Sequence, residues 1–201
     1  MPKLNQYVNE LLAVVRDVVD PLGVDYAIGG ALAMASHGYS RQTSDVDLFV
    51  AEKDRGKVLH ALRAAGLHVS DVMRPHHYIA EKPEHSDDPD ARIDVMVPAG
   101  EPDITAIEWP DRRAIVSGGA KLNVVEANLL AMMKFYSDRD DDERDLKQLY
   151  ERGIFEPDKV RKMIASIDNE DGDEVAAWDA TIASFHRKRR SRPRPTKKPV
   201  R

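Results

Sequence analysis

The chain has 201 residues, 42% of them hydrophobic and 32% charged, with no cysteine and a formal net charge of −5. That length suffices for one well-buried domain with a small appendage, and the lack of cysteine excludes disulfides and thiolate metal sites. The amino-terminal stretch MPKLNQYVNELLAVVRDVVD carries charges inside its apolar pattern and has neither the apolar core of a signal peptide nor the length of a membrane span. A soluble, cytoplasmic protein with no membrane partner is expected.

Leu4, Val8, Leu11, Leu12, Val15, Val18 and Val19 recur at helical spacing, and Pro21 with Gly23 ends that run. DYAIGG reads as a short strand entering a tight turn, and ALAMASHG as a short helix stopped by Gly38. DVDLFV is a strand, residues 53–65 a helix, and LHVSDV and HHYIAEKP two further strands. A polar loop, EHSDDPD, leads into the strand ARIDVMVP.

RRAIVS reads as another strand, turning at Gly118 and Gly119. Asn123 and Glu126 then resemble a capping box opening the helix VVEANLLAMMKFY. DDERDLKQLYERG is a second helix, with Asp140 to Asp142 suited to its first turn, where carboxylates favour the dipole. Pro157 marks the first turn of a third helix, and a fourth from Asp173 to Phe185 runs into the tail. From Arg187 onward the chain holds nine bases and no acid, leaving the rest at −14, with 21 bases against 35 acids. This Pro-rich tail is expected to be disordered, either as a solubilising end or as an arm for phosphate backbones or an acidic partner.

Side chains alternate faces along a strand, so Asp45 and Asp47 point away from Val46, Leu48 and Val50. In RIDVMV the same rule sets Asp94 opposite Ile93, Val95 and Val97. If the two strands are neighbours, about 4.8 Å apart, three carboxylates converge on one sheet face and repel unless a cation neutralises them. Such oxygen ligands suit Mg²⁺ or Mn²⁺, which share their shell with substrate phosphates. Gly29 and Gly30 leave room for a triphosphate to approach the backbone at a helix start. Arg41, Thr43 and Ser44 stand beside the aspartates as phosphate contacts, although Arg41 also suits an ion pair with an aspartate. Attack on an α-phosphate, with pyrophosphate leaving, is the chemistry that fits.

GGALAMASHGYSRQTSDVDLFV followed by RIDVMVP resembles the nucleotidyltransferase (DNA polymerase β-like) superfamily. That signature is a glycine pair, a short helix, an acid pair in a strand and a third acid on a later strand; Gly29, Gly30, Asp45, Asp47 and Asp94 match it. The wording is closer to the AbiEii-type toxins and small bacterial nucleotidyltransferase-like proteins than to polymerases. The resemblance spans about residues 24–152, although many relatives have Gly-Ser in place of Gly-Gly and toxin relatives are longer. With the elements read above, the expected fold is α/β (α+β): a core over 1–122 that has an N-terminal helix and a mixed sheet, which the resemblance makes a nucleotidyltransferase core, then a small helical part over 123–186 and a basic disordered tail over 187–201. Asp45, Asp47 and Asp94 would be both metal-binding and catalytic. LLAMMKFYSDRDDDERDLKQLYE resembles the lysine-bearing helix of those relatives, which makes Lys134 a nucleotide-phosphate contact or an ordinary charge near a helix end. Asp145 becomes a helper or a structural acid.

Three functions follow: NTP-dependent, Mg²⁺-dependent nucleotidyl transfer to RNA or protein in a toxin-antitoxin-like setting; transfer to an aminoglycoside or lincosamide; or a non-catalytic, antitoxin-like binding module. His76, His77 and His85 lack tight zinc-ligand spacing, His37 is a candidate neighbour of the nucleotide, and Met132 and Met133 read as core filling.

Overall fold

A computed structural model of the chain describes residues 6–71, 76–85, 88, 90–98, 110–114, 121–137, 139–167 and 172–189. The apolar stripe at the start forms α1 (Gln6–Val14) and continues as a π-helical turn to Val19. Val8, Leu11, Leu12, Val15 and Val19 are fully buried. A short 3-10 turn through Pro21 follows, and Gly23 closes it in the left-handed conformation at φ 64°.

Strand β1 (Tyr26–Ile28) leads through Gly29 into α2 (Gly30–Ser36), and β2 (Val46–Val50) follows. Helix α3 (Arg55–Ala64) connects to the meander β3 (His68–Asp71), β4 (His77–Glu81) and β5 (Arg92–Met96). The last strands are β6 (Asp111–Ala114) and β7 (Lys121–Val124). Together they form one seven-stranded sheet in the order β3-β4-β5-β2-β1-β7-β6. The β2–β5 and β1–β7 pairs are parallel and the other four antiparallel, so the sheet is mixed, as expected. Val46, Leu48, Val50, Ile93 and Val95 are fully buried on the expected core side, while Phe49 and Asp94 on the opposite face are buried as well.

Past β7 the chain forms helices α4 (Ala127–Phe135), α5 (Asp140–Glu151), α6 (Pro157–Ile167) and α7 (Asp173–Arg189). The capping box expected from Asn123 is not formed. Asn123 belongs to β7, and Glu126 itself is the N-cap, its carboxylate accepting from the backbone N–H groups of Asn128 and Leu129. Extension of β7 to pair with β6 removes Asn123 from the helix start. Helix α7 continues from Phe185 to Arg189, running into the start of the tail as expected. The tail from 190, the Gly118–Gly119 turn and parts of the 84–90 loop lie outside the described residues.

Helix α4 packs against α2, α5 and α6, and α7 against α5 and α6. Trp178 of α7, 1% exposed, meets Phe135 of α4 edge-on with ring centroids 5.3 Å apart. One hydrophobic cluster runs from Val8 through the sheet to Phe185, so the helices and the sheet share a core. No described helix is long and apolar enough to cross a membrane.

Candidate active site

The parallel pairing of β2 with β5 places Asp47 directly opposite Asp94, and Asp45 stands one step before β2. Each of the three acids offers a carboxylate oxygen, and these oxygens all lie within 4.8 Å of one another. Burial and the neighbouring charges of Asp45 and Asp94 push the Asp47 carboxyl up to about 6, while Lys134 and Arg139 pull the other way. A site that crowds three carboxylates and offers only oxygen donors fits a hard divalent cation such as Mg²⁺ or Mn²⁺.

The glycine pair shapes this site more directly than the sequence suggests. The Gly29 N–H donates to the Asp47 carbonyl at 2.9 Å, which ties the β1–α2 turn to β2. Gly30 has φ 54°, and a Cβ there would stand 2.8 Å from the Asp47 carboxyl carbon. A Cβ at Gly29 would lie 2.5 Å from the Phe49 ring. The space beside Gly30, expected for a triphosphate, is therefore taken up in part by the Asp47 carboxylate.

Each acid has local support. The Thr43 hydroxyl donates to Asp45. Asp94, 5% exposed, accepts from His77 Nε2 at 2.9 Å through Oδ1. Arg92 Nε lies 3.2 and 3.1 Å from the two Asp94 oxygens.

A second ionic cluster borders the first. Lys134 on α4, 6% exposed, pairs with Asp142 and, at 3.2 Å, with Asp145, both on α5. Arg41 reaches the same Asp145 at 3.1 Å, and Asp142 also accepts from Ser137 at 2.5 Å and Arg139 at 2.7 Å. Burial alone would raise the Asp142 carboxyl, but the hydrogen bonds from Lys134, Ser137 and Arg139 hold it below the usual carboxylate range. Two clefts meet at Lys134, Ser137 and Arg139. One, about 330 Å³, is lined by Gly30, Asp47, Phe49, Met96 and Tyr136; the other, about 470 Å³, by Asp140, Glu143, Thr181 and Ser184.

No protein-family model matches the chain, and no sequence among curated proteins does. Three solved structures share its architecture. The solution structure of the antibiotic-resistance factor ANT(2'')-Ia superposes with a TM-score of 0.52 at 15% identity, covering 94% of this chain and 96% of that one. The lincosamide antibiotic adenylyltransferase LnuA, bound to lincomycin, gives 0.51 at 13% identity over 73% and 97%. An antigenic nucleotidyltransferase-like protein from Paracoccidioides brasiliensis gives 0.55 at 15% identity over 93% and 91%. The fold is that of the nucleotidyltransferases. The AbiEii-type toxins are not singled out by these likenesses.

Within this nucleotidyltransferase fold, the structure brings together Asp45, Asp47 and Asp94 with Gly29, Gly30 and Thr43. Ser44 is half-buried just before Asp45. Arg41 and Lys134 reach the site's border but are held by the carboxylates of α5. His37 does not face the cleft's acids; its Nε2 lies 2.7 Å from the Val125 carbonyl, bracing α2 against the start of α4. Sequence reasoning missed Arg92, which the two-residue repeat of the strand sets on the face of Asp94. It also missed His77, whose place depends on β4 pairing with β5.

Proposed function

We propose that the chain is a metal-dependent nucleotidyltransferase that moves a nucleoside monophosphate from a nucleoside triphosphate to a hydroxyl acceptor. The convergence of Asp45, Asp47 and Asp94 beside the Gly29–Gly30 turn carries this reading. These three carboxylates would hold Mg²⁺ or Mn²⁺, which when bound neutralises phosphate charge and lowers the pKa of an attacking hydroxyl. The acceptor oxygen would bond to the α-phosphorus while the bond from that phosphorus to the bridging oxygen of the β-phosphate breaks, pyrophosphate leaving with the electron pair and the hydroxyl proton passing to solvent. Thr43 orients Asp45. Lys134 and Arg139 line the cleft next to Asp47 and supply positive charge for the triphosphate, with Arg41 and Ser44 at its border.

For the acceptor, the sequence resemblance favours RNA or protein in a toxin-antitoxin-like setting, with the basic tail assisting RNA. A specific observation supports a second reading, a cationic small molecule. The 470 Å³ cleft adjoining the acids sets Asp140 and Glu143, with the hydroxyls of Thr181 and Ser184, beside Lys134 and Arg139, a lining whose carboxylates and hydroxyls suit the amines and hydroxyls of an aminoglycoside-like molecule. LnuA, of the same fold, is a lincosamide adenylyltransferase.

The test is transfer of label from each α-³²P-NTP, with Mg²⁺ or Mn²⁺, to total RNA, to protein and to an aminoglycoside and lincosamide panel, beside Asp45→Ala/Asp47→Ala. Label on one acceptor class that disappears in the double variant is the expected result. No label on any acceptor, with metal-dependent nucleotide binding intact, would instead point to a binding module.

A further inference from the structure

We infer that His77 is a positioning residue that holds Asp94 in the orientation in which it serves the metal site, an inference resting on the metal-dependent reading above. His77 pairs with Met96 across the β4–β5 ladder, and Asp94 pairs with Ile79. His77 and Asp94 therefore occupy diagonal positions on one face of the sheet, within reach of a long or aromatic side chain. The ring spans that diagonal, with Nε2 2.9 Å from Asp94 Oδ1 and the His77 side chain 27% exposed. A carboxylate that ligates a metal ion can only accept from its neighbours, so in the metal-binding form Nε2 of the ring is the donor. The contact engages Oδ1 from the β4 side, and Arg92 Nε bridges both oxygens from within β5.

The backbone that presents His77 is held with some strain. His76, immediately before it, has φ 65°, the one positive value among the described non-glycine residues. Such a conformation is costly in an L-residue and persists where surrounding structure enforces it. Here the His76 carbonyl accepts from the Val97 N–H at 2.8 Å, so the start of β4 is fastened to the end of β5, the strand that carries Asp94. Metal-ligating carboxylates depend on hydrogen bonds from such outer residues, which fix the angle of the oxygen presented to the ion.

The experiment uses the full chain as wild type, His77→Gln and His77→Phe. Gln keeps an N–H donor near the position of Nε2; Phe keeps the ring without the donor. Mn²⁺ affinity is read from the electron paramagnetic resonance signal of the free ion, kcat and KM are measured beside it, and near-ultraviolet circular dichroism checks the fold. His77→Phe is expected to weaken Mn²⁺ binding roughly tenfold or more and to lower kcat, with His77→Gln restoring most of both. Should Phe not fit, His77→Ala provides the donor-free arm. Equal Mn²⁺ affinity in wild type and the donor-free variant would overturn the inference while leaving the metal site standing, and so would equal losses in Gln and Phe. Absence of Mn²⁺ binding in the wild type would overturn the metal-dependent reading itself, and the role of His77 with it.

Discussion

The carboxyl group of Asp47 occupies the space that the side chain of any residue other than glycine at position 30 would need. A Cβ on Gly30 would collide with the Asp47 side chain, 2.8 Å from Cγ, and the backbone there has φ 54°. The glycine of the turn and the acid of the strand are therefore one steric unit.

Gly30→Ala combines left-handed strain of about 1–2 kcal/mol with a clash of about 1–3 kcal/mol. Gly23→Ala is the control, because Gly23 has φ 64° but a methyl group added there would meet nothing within 4 Å. Denaturant melts of both variants should show the larger loss in Gly30→Ala, and only that variant should lose divalent-cation binding.

Asp47 should make the metal-free fold less stable as pH rises. Its carboxyl titrates near 6 in the folded chain against 3.8 for the free group, so the folded state binds the proton more tightly. The stability this lends is fully present below pH 3.8 and is lost as pH climbs through 6. The size of the loss is about 3 kcal/mol. Without metal, Asp47→Asn should melt higher than wild type at pH 7.5 and lose that advantage near pH 4. An unchanged difference between those two pH values would contradict the crowding of acids as its cause.

Divalent cation should reverse that ranking. An ion that binds only the folded state adds about 2.7 kcal/mol at a concentration 100 times its dissociation constant. Thermal melts with Mg²⁺ or Mn²⁺ should therefore rise in wild type and stay flat in Asp45→Ala/Asp47→Ala, with the chelator EDTA returning wild type to its starting value.

Lys134 should be structurally necessary whatever its part in catalysis. Its removal leaves Asp142 and Asp145, 1% and 3% exposed, without their shared buried cation. Breaking a buried pair from one side costs about 3–5 kcal/mol, so Lys134→Met should unfold at markedly lower denaturant. Lys134→Met/Asp142→Asn should recover part of the loss because one stranded charge is gone. Acid should weaken wild type through the same cluster: the Asp142 carboxyl lies below its unfolded value, so its contribution is present above that value and fades as pH falls through the folded one.

Most of the fold was legible because its signals are local. The stripe from Val8 to Val19, the alternation in DVDLFV and RIDVMV, and the turn glycines each act within a few residues. Asn123 shows where local reading fails: a plausible cap residue became part of β7 because pairing with β6, distant along the chain, extends the strand past it.

By itself the sequence determined which residues share a strand face, and so that Asp45 and Asp47 stand together and that Asp94 faces away from its own core side. Only the tertiary structure decided that β5 lies next to β2 with Asp94 opposite Asp47, that His77 comes to Asp94 from β4, and that Lys134 and Arg41 close on the acids of α5. The physical reason is range: alternation follows from backbone geometry within one element, whereas neighbours are chosen by burial and ion pairing between elements, and no spacing within the chain records that choice.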